Sequence, residues 1–291
     1  MKSILILGAG GMTGTGVLKE LAKAGFRVTA FDHNEQHREN LLRLGAAEVI
    51  IGDMECFDDL SSAMRNQDAI YHITSAFNPR EYEIGKLSID AAKANGISHF
   101  VYQSVLHSNM TQLIHHWKKN QVEEYLVESG LPFTIVQPTV FMQNILRSWS
   151  EIQETGVFRQ KFYTEKGSAI AMIDLADFAE AVSIIIQNPE KHLGATYELS
   201  GPEMLNAAKV KTAMERVLGR TVTFSFLSDD AFISDLKKIH ASDYRIQGMT
   251  KMYWHYNNYD FPGSPFVLEA ILGRKSNTLT QCLSAAKNAP V

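Results

Sequence analysis

The residues best placed to do chemistry begin near the N-terminus, where Gly8, Gly11 and Gly14 stand three apart in the run LILGAGGMTGTGV. An apolar run precedes them and a helical pattern follows. In that setting each glycine has its own task. Gly8 permits a tight turn, Gly11 lets the backbone approach a pyrophosphate, and Gly14 allows close helix–strand contact. Met12 and Thr13 then open a helix whose free N–H groups and partial positive charge face a phosphate. The chemistry indicated is dinucleotide binding, and the flanking strand and helix separate it from a glycine-rich turn with no ligand. Asp32 closes the next apolar run. A carboxylate there accepts hydrogen bonds from both hydroxyls of an adenosine ribose and repels a 2′-phosphate, which favours NAD(H) over NADP(H). The competing role for Asp32 is to cap the following helix. His33 and Arg38 lie close by and tolerate a phosphate. Asp53, after the third strand, is either an adenine contact or a solvated loop acid.

These residues need elements to position them, and the periodicity supplies them in alternation. Short β-type runs are expected at Ser3–Leu7, Arg27–Phe31, Glu48–Ile51, Asp68–Ile73, His99–Gln103 and Phe133–Val136. Helical spacing is expected over Thr15–Ala24, Glu35–Leu44, Asp58–Met64, Tyr82–Ala94 and Leu113–Ser129. Such alternation means β-α units, a parallel sheet and right-handed crossovers. The fold class is α/β: a Rossmann-type doubly wound parallel sheet with a smaller C-terminal α+β lobe. We expect residues 1–150 to form the dinucleotide-binding domain, with contributions from about 169–200, and residues 151–291 to form the substrate-binding lobe. Within that lobe helices are expected over Thr139–Glu154, Leu175–Gln187, Ala207–Leu218 and much of Asp229–Asn258. In the Rossmann arrangement Thr74, Ser75, Ala76 and Phe77, after the fourth strand, line the cofactor. Pro138, Val140 and Phe141, after the sixth, flank the nicotinamide.

The G-x-x-G-x-x-G spacing resembles the atypical short-chain dehydrogenases. Within them the chain resembles the NmrA-like group, through HHWKKNQVEEYLVESGLPFTIVQPTVFMQN (His115 to Asn144) and LGRKSNTL (Leu272 to Leu279). The resemblance implies a dinucleotide-binding domain, a smaller C-terminal lobe and a cleft. The chain departs from that pattern in two places. Asp32 stands where many members carry Arg and prefer NADP. In the Y-x-x-x-K motif of ordinary short-chain dehydrogenases, the Tyr position holds His115 and the Lys position Lys119. Lys119 is then the active-site candidate that binds the nicotinamide ribose and lowers a neighbour's pKa by its charge. His115, four residues earlier on the same helix face, replaces the Tyr as proton donor or merely fills its space. Ser104 follows the fifth strand, at the position of the catalytic Ser in that group. His107 reaches toward the same cleft. Tyr163 and Trp254 are candidates to contact substrate, within an aromatic set that includes Trp149, Phe158, Tyr253, Tyr256, Tyr259 and Phe261. The alternative for each is lobe core.

The composition narrows the possibilities. The 291 residues carry 28 Lys plus Arg against 32 Asp plus Glu, a net charge of −4. Such a balance argues against nucleic acid as the main partner. Two cysteines, far apart, match no metal-ligand spacing, and no metal is expected. No 18-residue apolar stretch and no signal-peptide pattern occur, so a cytoplasmic protein with no membrane partner is expected. Two functions remain. One is an NAD(P)-dependent oxidoreductase acting on an apolar, aromatic or quinone-like small molecule, with His115 or water as proton source. The other is a non-catalytic NAD(P)-binding redox sensor that regulates a protein partner. The missing Tyr favours the second, whereas Lys119, Ser104 and the aromatic lobe favour the first.

Overall fold

The structure is a computed structural model and describes residues 2–161 and 168–288. Its first elements are β1 (Ser3–Leu7), α1 (Met12–Lys23), β2 (Arg27–Asp32), α2 (Arg38–Arg43), β3 (Glu48–Ile51), α3 (Phe57–Met64), β4 (Ala69–His72), α4 (Glu81–Ala94), β5 (His99–Gln103), α5 (Ile114–Glu128) and β6 (Phe133–Pro138). There follow β7 (Val140–Phe141), α6 (Gln143–Leu146), α7 (Trp149–Thr155), β8 (Val157–Gln160), β9 (Ile170–Ile173), α8 (Leu175–Gln187), α9 (Pro189–His192) and β10 (Ala195–Leu199). The last are β11 (Glu203–Leu205), α10 (Ala207–Leu218), β12 (Thr223–Phe226), α11 (Asp229–Lys238), α12 (Asp243–Asn258), α13 (Phe266–Leu272) and α14 (Leu279–Asn288). The chain divides into two compact units. One comprises Met1–Pro138 and Phe178–Glu198, the other Thr139–Asp177 and Leu199–Val291.

In the first unit seven strands form one sheet in the order β10-β6-β5-β4-β1-β2-β3. Each neighbouring pair from β3 to β6 is parallel. The order reverses at β1, between β2 and β4, so the switch point where such sheets bind ligands lies beside the glycine run. The strands read as continuous apolar runs because both faces are covered. Ile4 to Leu7, Val28, Phe31, Ile70, Tyr71, Phe100 and Tyr102 are all buried. Each such side chain contributes about 1.5–3 kcal/mol by leaving water. Helix α1 packs through Val17, Leu18 and Leu21 at helical spacing. Helix α5 differs, because its buried face carries His115, His116, Lys119 and Glu123 as well as Val122 and Leu126.

The second unit holds a three-stranded sheet in the order β11-β9-β7, and β8 pairs with β12 in parallel. Its C-terminal segment is tied down by two acids. Arg274 and the Asn277 N–H both donate to Asp177, at 2.8 and 2.5 Å, and the Asn277 amide donates to Asp174 at 3.0 Å. The motif LGRKSNTL is therefore an anchoring strap. One expectation needs correction here. Thr139–Glu154 is not one helix. β-branched and aromatic residues after Pro138 extend into β7, which pairs with β9, and only then do α6 and α7 form. The helical pattern expected over much of Asp229–Asn258 is met by two helices; His240 adopts φ 54 between them and Ser242 starts α12 afresh by accepting the Arg245 N–H.

The aromatic run also fails to form one wall. Tyr256 packs on Phe261 and Tyr253 on Phe232, and Trp149 and Phe158 are buried. These are lobe core. Trp254 and Tyr259 are instead about half exposed, with ring centroids 6.0 Å apart. Tyr163 lies outside the described residues. Both cysteines are free, and no helix among the described residues is long and apolar enough to cross a membrane.

One core histidine makes stability depend on acid. His72 is fully buried between the rings of Phe100 and Tyr102, and neither ring nitrogen has a hydrogen-bond partner. Burial, with the nearby Lys119 charge, lowers its pKa from 6.5 to about 3. Above 6.5 both folded and unfolded chains hold it neutral. Below that the unfolded chain takes up a proton first, so stability falls as pH drops toward 3. The urea midpoint should therefore fall between pH 7 and pH 5, and the fall should shrink in His72→Phe; an equal fall in both proteins assigns the acid sensitivity elsewhere.

Candidate functional site

The turn between β1 and α1 is shaped by three distinct steric requirements. Gly8 sits at φ 83, and a Cβ on it would lie 2.3 Å from the Ile73 carbonyl oxygen. The turn thus rests backbone to backbone on the end of β4. A Cβ on Gly14 would lie 2.4 Å from Gly8 O and 2.8 Å from Ala9, so α1 can approach only without a side chain there. Gly11 is the opposite case. Its added Cβ would meet only Gly8 O, at 3.7 Å, and the residue is exposed. It is also the N-cap of α1, with no side-chain cap and no acid in the first turn. Met12 is half-buried and Thr13 buried. The N–H groups at this terminus have open space before them and no competing carboxylate, as a pyrophosphate requires.

Asp32 ends β2 with its side chain buried. Its Oδ2 accepts the Gly10 N–H at 2.7 Å, while its Oδ1 accepts the Asn34 N–H at 2.8 Å and lies 3.0 Å from His37 Nδ1. The carboxylate therefore ties the glycine turn to the end of β2. It does not cap the following helix, since Asn34 accepts the Gln36 N–H there. His33 is exposed, with Nδ1 3.7 Å from Asp32. Arg38 is held by Glu35 and by the Val49 carbonyl. Asp53 is exposed in a turn, where it accepts the Glu55 N–H.

The loop after β4 leads to a buried polar cluster. Thr74 donates its hydroxyl to Glu81 Oε1, and Lys119 Nζ donates to the same oxygen at 2.6 Å. Lys119 also donates to the Gln103 carbonyl at 3.2 Å and lies 5.4 Å from the Tyr102 ring centre. Ser75 and Ala76 are exposed. Phe77 adopts φ 60, and its ring stands 4.4 Å from that of His115. Ser104 is buried at the end of β5. Its N–H donates to Val136 O at 2.8 Å, and its hydroxyl has no partner.

His115 is also buried, with Nδ1 unpartnered. Burial, and then the neighbouring His116 and Lys119, hold its pKa well below 6.5. The ring is thus a neutral imidazole at neutral pH, able to donate one N–H hydrogen bond but holding no spare proton. His107 stands after β5 at φ 56, with Nδ1 3.7 Å from Glu198. Pro138 is buried at the end of β6, and its carbonyl accepts the Leu106 N–H.

Within the first unit, then, Thr74, Phe77, His115 and Lys119 are linked directly or through Glu81, and the Lys119 ammonium reaches the carbonyl just before Ser104. Val140 and Phe141 belong to the second unit, in β7, where they pair with Met172 and Ile173. Trp254 lies on α12 of that unit, beneath the Lys251 ammonium. Sequence reasoning missed Glu81, Gly10 and His37. An acid at the start of a helix reads as a solvated complement to the dipole, so nothing local marks Glu81 as buried. Gly10 stands inside a glycine run, yet a Cβ on it would strike Asp32 at 2.1 Å. Among the described residues no His, Cys, Asp and Glu set of three or more is arranged to hold a metal.

Comparison with known proteins agrees with this fold. The model of the NmrA-like family matches residues 1–284. The chain is 33% identical over 235 residues to (4-alkanoyl-5-oxo-2,5-dihydrofuran-3-yl)methyl phosphate reductase of Streptomyces griseus, covering 78% of each. The NADPH-dependent quinone oxidoreductase of Escherichia coli, solved with NADPH, superposes with a TM-score of 0.81 at 25% identity, over 98% of this chain and all of that one. NmrA, a negative transcriptional regulator solved with NADP, shares the fold with a TM-score of 0.78 at 18% identity, over 99% and 98% of the two chains.

The glycines make opposite predictions. Gly11→Ala should leave stability within about 0.5 kcal/mol, as for substitutions away from packed features, yet weaken NAD(P)H binding about tenfold or more, a loss of about 1.4 kcal/mol. Gly14→Ala overpacks the turn and should lower stability by about 1–3 kcal/mol. Urea denaturation and calorimetric titration of both variants check the contrast, and equal losses of stability would contradict it.

Proposed function

The chain belongs to the NmrA-like family, and from that premise we propose that it is an NAD(P)H-dependent oxidoreductase that reduces an aromatic or quinone-like small molecule. The observation that carries this reading is the buried cluster around Lys119, joined to the phosphate-receiving turn through Ile73 and Thr74. A reductase relative and a quinone oxidoreductase of the same fold support it. The unpaired Ser104 hydroxyl and the neutral His115 ring support it too, because buried polar groups without partners are costly unless a ligand completes them.

Gly8, Gly11, Met12, Thr13 and Gly14 would hold the pyrophosphate, Asp32 and His33 the adenosine ribose, and Asp53 the adenine. The loop Thr74 to Phe77, with Pro138, would line the rest. When bound, the dinucleotide supplies the hydride. Lys119 would hold the nicotinamide ribose through the donor that Glu81 and Gln103 leave over. Ser104 and His115 would donate hydrogen bonds to the substrate oxygen that gains charge. His115 acts there as a neutral donor, and the proton that completes the hydroquinone comes from water. His107 is the proposed substrate contact in the first unit. We place the protein in the cytoplasm.

Asp32 supports NAD(H) over NADP(H), since it puts a carboxylate at the end of β2 while Arg38 is occupied by Glu35. Steady-state kinetics with NADH and NADPH should give the higher kcat/KM for NADH, and the reverse order would overturn this choice.

The redox-sensor reading draws on one observation, that the group in the Tyr position is a ring kept neutral by burial. A quinone and aromatic-carbonyl panel, followed at the nicotinamide absorbance, separates the two. We expect oxidation of the cofactor, lost almost entirely in Lys119→Ala. His115→Phe should lose about 100- to 1,000-fold, the scale for removing one donor to a developing negative charge, and His115→Gln should retain more. Because burial keeps His115 unprotonated, turnover should show no acid limb near pH 6.5 that disappears in His115→Gln. Tight cofactor binding with no oxidation across the panel would favour the sensor.

A further inference from the structure

We propose that Glu81 is a positioning residue of this site: its carboxylate fixes the Lys119 ammonium against the loop that follows β4, and so sets how the nicotinamide ribose is held. The inference rests on the role given to Lys119 above.

Glu81 is the first residue of α4. An acid in a first helical turn is ordinarily solvated and contributes modestly through the dipole. Here the residue is 1% exposed. Burying a carboxylate costs several kcal/mol unless good geometry offsets it, so the placement needs a reason beyond helix stability. One oxygen, Oε1, carries both partners. It accepts the Thr74 hydroxyl and the Lys119 ammonium, the latter at 2.6 Å. Glu81 thereby pins a loop residue to a helix residue 38 positions beyond itself. The other oxygen, Oε2, is buried without a partner, so the carboxylate is not there to satisfy a surrounding set of donors. Its contacts all point one way.

The effect on Lys119 follows from counting donors. An ammonium has three N–H groups. Glu81 takes one and the Gln103 carbonyl takes a second, at 3.2 Å. Two fixed bonds leave the third with a defined direction. Without Glu81, one long bond and the Tyr102 ring at 5.4 Å remain to hold a flexible four-carbon stem, which has many rotamers to explore. Phe77, three residues past Thr74, packs on His115. The same short loop is therefore fastened at both candidate groups, and Glu81 makes the polar fastening.

The experiment compares the unaltered protein with Glu81→Gln, Glu81→Asp, Lys119→Met and the double variant Glu81→Gln/Lys119→Met. Calorimetry measures binding of NADPH and of 2′,5′-ADP (or NADH and ADP, whichever pair binds tighter); the fragments lack the nicotinamide ribose. Turnover with a quinone and thermal midpoints are recorded alongside. We expect Glu81→Gln to weaken the whole dinucleotide and leave the fragment unchanged. It should lower kcat by about 100-fold, the scale of a misplaced group, with Glu81→Asp in between.

The double variant should bind and turn over no worse than Lys119→Met alone, because residues acting as a unit are not additive. It should also regain thermal stability over either single variant, since no buried charge is then left unpaired, which keeps the test open if Glu81→Gln folds poorly. Equal weakening of dinucleotide and fragment in Glu81→Gln, or losses in the double variant that multiply, would overturn the proposal and leave Glu81 a structural residue. An unaltered protein that binds NADPH but oxidises none of it overturns the reductase reading alone, and the binding comparison still decides for Glu81.

Discussion

The close approach of two backbones, at Gly8 and the end of β4, is the constraint on which the rest of the site depends. The glycine turn can rest on the Ile73 carbonyl only because no Cβ intervenes. Gly14 brings α1 down on the same turn, and Asp32 holds it from the side of β2 through the Gly10 N–H. Three strands are thus joined where the sheet order reverses. Fixing Ile73 in this way also fixes Thr74, and from Thr74 the chain of contacts runs through Glu81 to Lys119. The glycine turn and a buried ammonium are coupled without any long-range device, through adjacent residues and two hydrogen bonds.

The polar inner face of α5 is energetically expensive. His115, Lys119 and Glu123 occupy positions that an ordinary sheet-covering helix fills with leucine or valine. Glu123 is satisfied by neutral donors, the Gln137 amide at 2.8 Å and the Ser108 hydroxyl at 3.0 Å. Lys119 has a full counter-charge. His115 has neither, and burial keeps its ring neutral. Apolar substitutes would stabilise the domain more. The retention of ionisable groups on this face, with Ser104 unpaired at the end of β5, is what distinguishes a site from a core.

The ion pair also shapes what a replaced tyrosine can mean. A Tyr would bring a hydroxyl donor, whereas His115 brings an N–H from a neutral ring, at the same step of the helix as Lys119. A neutral ring of this kind offers an N–H to donate and holds no stored proton.

The sequence by itself determined the class of fold and the glycine turn between β1 and α1. Alternating apolar runs and helical spacings up to Pro138 matched the strands and helices within a few residues, because β-α units impose two distinct periodicities. The steric roles of Gly8 and Gly14 were legible because each follows from the absence of a Cβ at a defined step between strand and helix. A spacing of four placed Lys119 and His115 on one helix face, and the fold showed that face to be buried. Tertiary structure alone decided that Glu81 is buried, since an acid at a helix start looks the same whether solvated or paired with a lysine from another helix. It decided that Asp32 ties the glycine turn to the end of β2, and it separated Tyr256 and Phe261, which are core, from Trp254 and Tyr259, which are not. Periodicity reports which face of an element is buried; the partner that meets it comes from a remote part of the chain and leaves no local trace.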